Sequence, residues 1–192
     1  DHLAIKEDVT SPIRGTLSIS DPDAGEAQLA LQMHVSGSGG YGHFTILPTG
    51  VWNYQLDNTN PDVQQLAQHQ TLTDSLVVTS TDGTQHTVTV SIEGTDDLPV
   101  VSGDTSAALT EDAGVTATGA LTASGTLTAT DVDEGDNPTF VAAHIGGAHG
   151  VFSIDEAGHW QYHANNNDAD IQGLKEGEPV TDSAEVTTAD GV

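Results

Sequence analysis

Hydrophobic and polar residues alternate with period two in several short runs of this chain. Thr87-Val88-Thr89-Val90-Ser91-Ile92 is one, and Gly15-Thr16-Leu17-Ser18-Ile19-Ser20 and Gly125-Thr126-Leu127-Thr128-Ala129-Thr130 are two more. Successive side chains of an extended strand point to opposite faces, so this alternation predicts half-buried strands, and Thr and Val favour them. Over the first hundred residues the pattern predicts strands at 2–7, 14–20, 28–36, 43–47, 51–56, 73–80 and 86–93, with Gly-rich turns between them. Asn60 to Leu66 breaks the alternation. Asp62 can start a helix, and Val63 and Leu66 are three apart, so a short helical turn is expected there and again at Asp168 to Leu174.

The chain repeats itself. A shift of 108 positions lays Gly42, Phe44, Ile46, Gly50, Trp52 and Tyr54 on Gly150, Phe152, Ile154, Gly158, Trp160 and Tyr162. Thr73-Asp74-Ser75 and Asp82-Gly83 likewise meet Thr181-Asp182-Ser183 and Asp190-Gly191. Glu7-Asp8 meets Glu111-Asp112 at a shift of 104, and Asp21-x-Asp23-x-Gly25 meets Asp131-x-Asp133-x-Gly135 at 110, so the second copy carries six extra residues around Gly119 to Ser124. A period this long suits tandem β-sandwich domains rather than a solenoid. The expected fold is all-β, two antiparallel sandwiches at 1–97 and 98–192. Only Val192 follows Asp190-Gly191, whereas a strand follows Asp82-Gly83, so the second sandwich is expected to lack its last strand and expose a sheet edge.

Charge changes the picture. Lys and Arg total 3 against 29 Asp and Glu, a net charge of −26. Nucleic acid and anionic membranes are bound through Lys and Arg, so neither is an expected partner. With no Cys, disulfides and thiolate metal sites are excluded. No apolar run approaches a membrane span and no basic-plus-apolar leader opens the chain, so no membrane insertion is expected. Acidic chains poor in aromatics are often disordered, but here the patterned apolar residues predict a folded chain with its charge in loops.

If successive strands alternate in direction, the acids sort by pole. Glu7-Asp8, Asp57 and the segment Glu93-Gly94-Thr95-Asp96-Asp97 fall at the C-terminal pole of the first copy, and Asp21 and Asp23 at its opposite pole. Asp131 and Asp133 fall at the pole of the second copy that faces the linker, while Glu111 repeats Glu7. Glu7, Asp8, Asp57, Asp96, Asp97, Asp131 and Asp133 are thus expected to converge. A hard cation that accepts six to eight oxygens in flexible geometry answers such a cluster, which predicts Ca²⁺ rather than Mg²⁺. The alternative is that these acids merely solvate loops and turns.

The unit Glu7-Asp8, Gly15-Thr16-Leu17, Asp21-x-Asp23-x-Gly25, Gly50-x-Trp52-x-Tyr54-x-Leu56-Asp57-Asn58, Asp82-Gly83 and Gly94-Thr95-Asp96-Asp97-x-Pro99 resembles the VCBS-type repeat of large bacterial RTX adhesins. The resemblance implies cadherin-like, Ig-like Greek-key sandwiches in tandem, calcium dependence, secretion to the bacterial cell surface, and a role in adhesion and biofilm formation. Its motif order is also similar to cadherin calcium sites. That similarity implies Glu7, Asp57, Asp96, Asp97, Asp131 and Asp133 as ligands. The chain departs from the pattern where Asp96 replaces the usual Asn and where Asn165 stands opposite Asp57.

Other candidates are set aside. Trp52 and Tyr54, and Trp160 and Tyr162, share strand faces and are read as core anchors, although exposed rings could stack on sugars. His144, His149, His159 and His163 are read as surface histidines, and no nucleophile motif marks an enzyme. The expected function is a calcium-rigidified extender or adhesion module partnered by neighbouring repeats of its own chain. A calcium-dependent lectin that binds polysaccharide is one alternative, and homotypic adhesion through an open edge is another.

Overall fold

The computed structural model describes residues 2–20, 22 and 27–191. They form two compact units, Asp1–Asp97 with Val132–Gly135, and Leu98–Asp131 with Asp136–Val192.

The first unit contains β1 (His2–Lys6), β2 (Ile13–Thr16), β3 (Gln32–Ser36), β4 (Gly42–Ile46), β5 (Val51–Leu56), α1 (Pro61–Gln64), β6 (Thr71–Thr79) and β7 (Gln85–Glu93). They pair as a three-stranded sheet, β1-β7-β6, and a four-stranded sheet, β2-β5-β4-β3. Every pairing is antiparallel except β1 with β7, which run side by side in the same direction. The alternation in β7 has the expected consequence: Val88, Val90 and Ile92 are fully buried while the residues between them are not. They join Phe44, Ile46, Trp52, Tyr54 and Leu56 of the other sheet in a single core. Each such side chain contributes about 1.5–3 kcal/mol on burial.

Two devices recur in both units. The first is a glycine beneath a tryptophan. Gly15 lies opposite Trp52, and a Cβ at position 15 would sit 2.5 Å from Trp52 Cε2. Gly125 lies opposite Trp160 with the same close approach, 2.6 Å. The second is a carboxylate clasped between a tyrosine and a loop. Asp74 on β6 is fully buried and accepts hydrogen bonds from the Tyr54 hydroxyl at 2.9 Å, Gly39 N at 2.8 Å and Ser75 N at 3.0 Å. Burial, then the Asp74 charge and hydrogen bond, pushes the Tyr54 hydroxyl well above the usual phenol range. In the second unit Asp182 accepts from the Tyr162 hydroxyl at 2.7 Å, Ala148 N at 2.8 Å and His149 N at 3.0 Å.

The second unit contains β8 (Val100–Gly103), β9 (Ala120–Thr130), β10 (Ala143–Gly146), β11 (Gly150–Ile154), β12 (His159–Asn165) and α2 (Ala169–Gln172). These strands make one five-stranded sheet, β10-β11-β12-β9-β8. The six extra residues of the second copy lengthen β9. Ala123 pairs with Tyr162 as Ile13 pairs with Tyr54, and β9 then continues backwards through Leu121 opposite Ala164 to Ala120 opposite Asn165. No strand follows α2 among the described residues apart from a lone bridge between Phe140 and Thr188, so besides the last strand, whose absence is expected, the counterpart of β6 at Thr181-Asp182-Ser183 is not a strand either. In the first unit β7 lies between β1 and β6. Among the described residues no strand takes that place in the second unit, and residues 179–187 join no ladder: Val186 packs against the core and Thr187 O accepts from Val141 N at 2.9 Å. The core divides accordingly into Leu127, Phe140, Ile154 and Trp160, and a smaller group of Leu121, Ala164 and Ile171.

The tight glycine–tryptophan approach predicts that Gly15→Ala lowers stability by about 1–3 kcal/mol, the usual cost of overpacking a filled core. The shift of the urea unfolding midpoint measures it, and a variant as stable as the parent would show that the indole moves aside freely.

Candidate metal centre

The pairing of β1 with β7 positions the acidic cluster. Because the two strands run in the same direction they finish together, Lys6 beside Glu93, and Glu7 N donates to Glu93 O at 3.0 Å. The segment that leaves β7 therefore starts next to Glu7. It is held down at Gly94, whose N donates to Gln70 O at 2.9 Å, and a Cβ there would lie 2.3 Å from Ala67 O. Thr95 then donates to Glu7 Oε1 from both its backbone N and, at 3.2 Å, its hydroxyl.

The third acid comes from far along the sequence. Val132–Gly135 belongs to the first unit, where Glu134 N donates to Gln65 O at 3.0 Å and Asp97 N donates to Asp133 Oδ2 at 3.0 Å. One carboxylate oxygen from each of Glu7, Asp97 and Asp133 lies within 4.8 Å of the others. Glu7 is 2% exposed and Asp133 4% exposed. Glu7 Oε2 is buried and accepts no hydrogen bond.

An acid in this position is reluctant to ionise. Burial raises the Glu7 pKa above the ordinary glutamate value, the Thr95 hydrogen bonds oppose the shift, and the charges of Asp97 and Asp133 add to it. A buried carboxylate oxygen without a donor, facing two further carboxylates, is a donor set for a hard cation. The set is all oxygen and sits on loops and strand ends, which fits Ca²⁺.

The other predicted residues are placed differently. Asp96 is exposed. Asp8 is exposed, has φ of 62°, and is fixed by Asn58 Oδ1 accepting from its N at 3.2 Å and by Gln64 Nε2 donating to its Oδ1 at 3.1 Å. Asp57 Oδ1 accepts from Thr59 N at 3.0 Å and Thr59 Oγ1 at 2.6 Å, which hold its pKa below the usual value. Asp131 is half-exposed and belongs to the second unit, as does Glu111. Beside Glu111, Asp112 repeats the Asp8 arrangement, bonded to Asn166 and Gln172. Asp21 and Asp23 lie outside the described residues.

Two further readings are settled by burial. Trp52 and Trp160 are 1% and 5% exposed, so neither presents a ring face on which a sugar could stack. His149, read from the sequence as a surface histidine, is largely enclosed, with 12% of its side chain exposed. Sequence reasoning missed it because a hairpin and a helical turn distant in sequence close over it. It also missed the Thr95 clasp on Glu7, although the Gly-Thr-Asp-Asp run that carries it was in view.

A profile of the bacterial cadherin-like domain matches residues 1–94 and again 96–192. No curated protein matches the chain. Among solved structures, protocadherin gamma B2 extracellular cadherin domains 1–5 is similar at 16% identity and a TM-score of 0.47, over 86% of this chain and 31% of that one. The protocadherin gammaB7 EC3–6 cis-dimer structure is similar at 16% identity and a TM-score of 0.45, over 98% of this chain and 45% of that one. This chain therefore spans less than half the length of either.

The raised Glu7 pKa has a signed consequence in cation-free buffer. The native state holds this proton more tightly than the unfolded state, so the contribution is present below the ordinary glutamate value and is lost as pH rises through the native one. Glu7→Gln cannot ionise and escapes the loss. Urea unfolding in chelator from about pH 4 to about pH 8 should show the parent falling steadily relative to Glu7→Gln. A constant difference across that range would contradict the assignment.

Proposed function

Because the chain belongs to the bacterial cadherin-like domain family, we propose that it is an adhesion and extender module that binds calcium through Glu7, Asp97 and Asp133. The observation that carries this reading is the buried Glu7 Oε2, which accepts no hydrogen bond although two more carboxylates stand within 4.8 Å. Leaving such a group ionised and unanswered is costly, and a bound cation turns the same arrangement into a favourable one.

The rest of the reading follows from this ion. Glu7 and Asp97 come from the first repeat and Asp133 from the second, so an ion bound by all three ties a loop of the second repeat's sequence into the first unit and stiffens the tandem. The remaining acids Asp8, Asp57, Asp96, Asp131 and Glu111, together with Asp21 and Asp23, are candidates for additional or weaker ion contacts. The duplicated sequence, the charge of −26 and the resemblance to VCBS-type repeats support a segment of a secreted cell-surface adhesin of the RTX type, extended by calcium in a calcium-rich exterior and serving adhesion and biofilm formation. Its immediate partners are neighbouring repeats of the same protein. No helix among the described residues is long and apolar enough to cross a membrane.

Calcium should raise the melting temperature of the full chain above its value in chelator. At a concentration one hundred times its Kd a single ion adds ~2.7 kcal/mol. Glu7→Gln combined with Asp133→Asn should abolish most of that gain without lowering the melting temperature in chelator. Identical melting curves for the parent with and without calcium would overturn the proposal.

A further inference from the structure

The second unit carries a cluster of different chemistry. His149 stands at the tip of the β10–β11 hairpin, and Asp168 and Asp170 open α2. One ligand atom from each of the three lies within 4.8 Å of the others. His149 Nδ1 is buried and makes no hydrogen bond, although Asp168 Oδ1 is only 3.5 Å away. That spacing is long for a hydrogen bond. It is close to the edge of a tetrahedron of donors around a zinc ion, about 3.3 Å for bonds of about 2.0–2.1 Å.

The three residues are held from behind. His149 N donates to Asp182 Oδ2 at 3.0 Å, and Asp182 is anchored in turn by the Tyr162 hydroxyl. Asp168 caps α2, its Oδ1 accepting from Asp170 N at 3.0 Å and Ile171 N at 3.4 Å. The cap orients the carboxylate and leaves Oδ2 without these backbone bonds. Asp170 is exposed and Asp168 partly so, which leaves a further coordination position facing solvent.

The first repeat provides an internal control. At the positions of His149, Asp168 and Asp170 it has Tyr41, Asn60 and Asp62. Asn60 also caps its helical turn, accepting from Asp62 N at 2.9 Å, so capping needs no acid here. The second repeat thus differs at two of the three positions, and both differences add a metal donor: an imidazole nitrogen for a phenol, and a carboxylate for an amide.

We propose that His149, Asp168 and Asp170 bind a divalent transition metal of the zinc class, with the remaining position taken by water or by a donor from outside the unit. One imidazole and two carboxylates suit Zn²⁺ better than Ca²⁺, which prefers oxygen alone. The ion pins the β10–β11 hairpin to α2.

The test is a calorimetric titration of zinc chloride into the full chain in saturating calcium, so that oxygen-only sites are already filled. The parent should take up one equivalent and melt at a higher temperature. His149→Tyr, which installs the first repeat's residue, should lose that uptake while keeping its melting temperature in calcium alone. Asp168→Asn retains the cap and should bind at least tenfold more weakly. Cobalt as a substitute probe should give visible d–d absorption in the parent and not in His149→Tyr. No uptake by the parent would overturn the proposal. So would uptake unchanged in both His149→Tyr and Asp168→Asn, because the zinc would then sit on other histidines.

Discussion

Every carboxylate this chain withdraws from water has to be answered with very little positive charge, since three basic residues stand against 29 acids. Hydrogen-bond donors do most of the work. Asp74 is fully buried yet receives a tyrosine hydroxyl and two backbone N–H groups. Less buried acids take donors too: Gln64 donates to the Asp8 carboxylate, Asn166 and Gln172 to that of Asp112, and Thr59 twice to that of Asp57. Glu7 is answered on one side only: Thr95 serves Oε1 and nothing donates to Oε2. The candidate cation site is the place where the protein's own supply of donors stops.

This separates acids that build the scaffold from acids that wait for a ligand. The scaffolding ones recur with the same partners in both repeats, as Asp74 with Tyr54 and Asp182 with Tyr162 show. They tie one sheet to a loop and stand in for salt bridges that a chain with so few Lys and Arg cannot make. Where the repeats diverge the chemistry diverges too. Tyr41 and Asn60 become His149 and Asp168, and an oxygen-lined turn becomes a mixed nitrogen and oxygen cluster.

Much of this was legible in the sequence because period-two alternation and repeat register are strong signals. β5 occupies the expected span, 51–56, β7 buries the expected face, and both helical turns fall where the alternation breaks. Strand ends were less legible. The strand expected at 14–20 ends after Thr16, where its partner β5 runs out: Leu17 N still donates to Gly50 O in register, and Gly50 is already in the turn back to Leu47. The strand expected from 28 is reduced at Leu29 to a single bridge with Ser80. β8 has no alternation to announce it and exists through pairing with the far end of β9. In the candidate site, Glu7 and Asp97 were readable because strands that run together must end together. The roles of Asp8 and Asp57 were not, since they depend on side-chain hydrogen bonds to Asn58, Gln64 and Thr59 that strand topology does not encode.

The two tryptophans, each lying over its own glycine, have an optical consequence. The chain contains only Trp52 and Trp160, one in each compact unit. The indole N–H of Trp52 is buried without an acceptor, whereas that of Trp160 donates to Asp104 O at 2.8 Å. A dry indole and a hydrogen-bonded one emit at different wavelengths. The protein therefore carries a separate intrinsic fluorophore for each repeat, and removing one leaves the other to report the unfolding of its own half without any added dye.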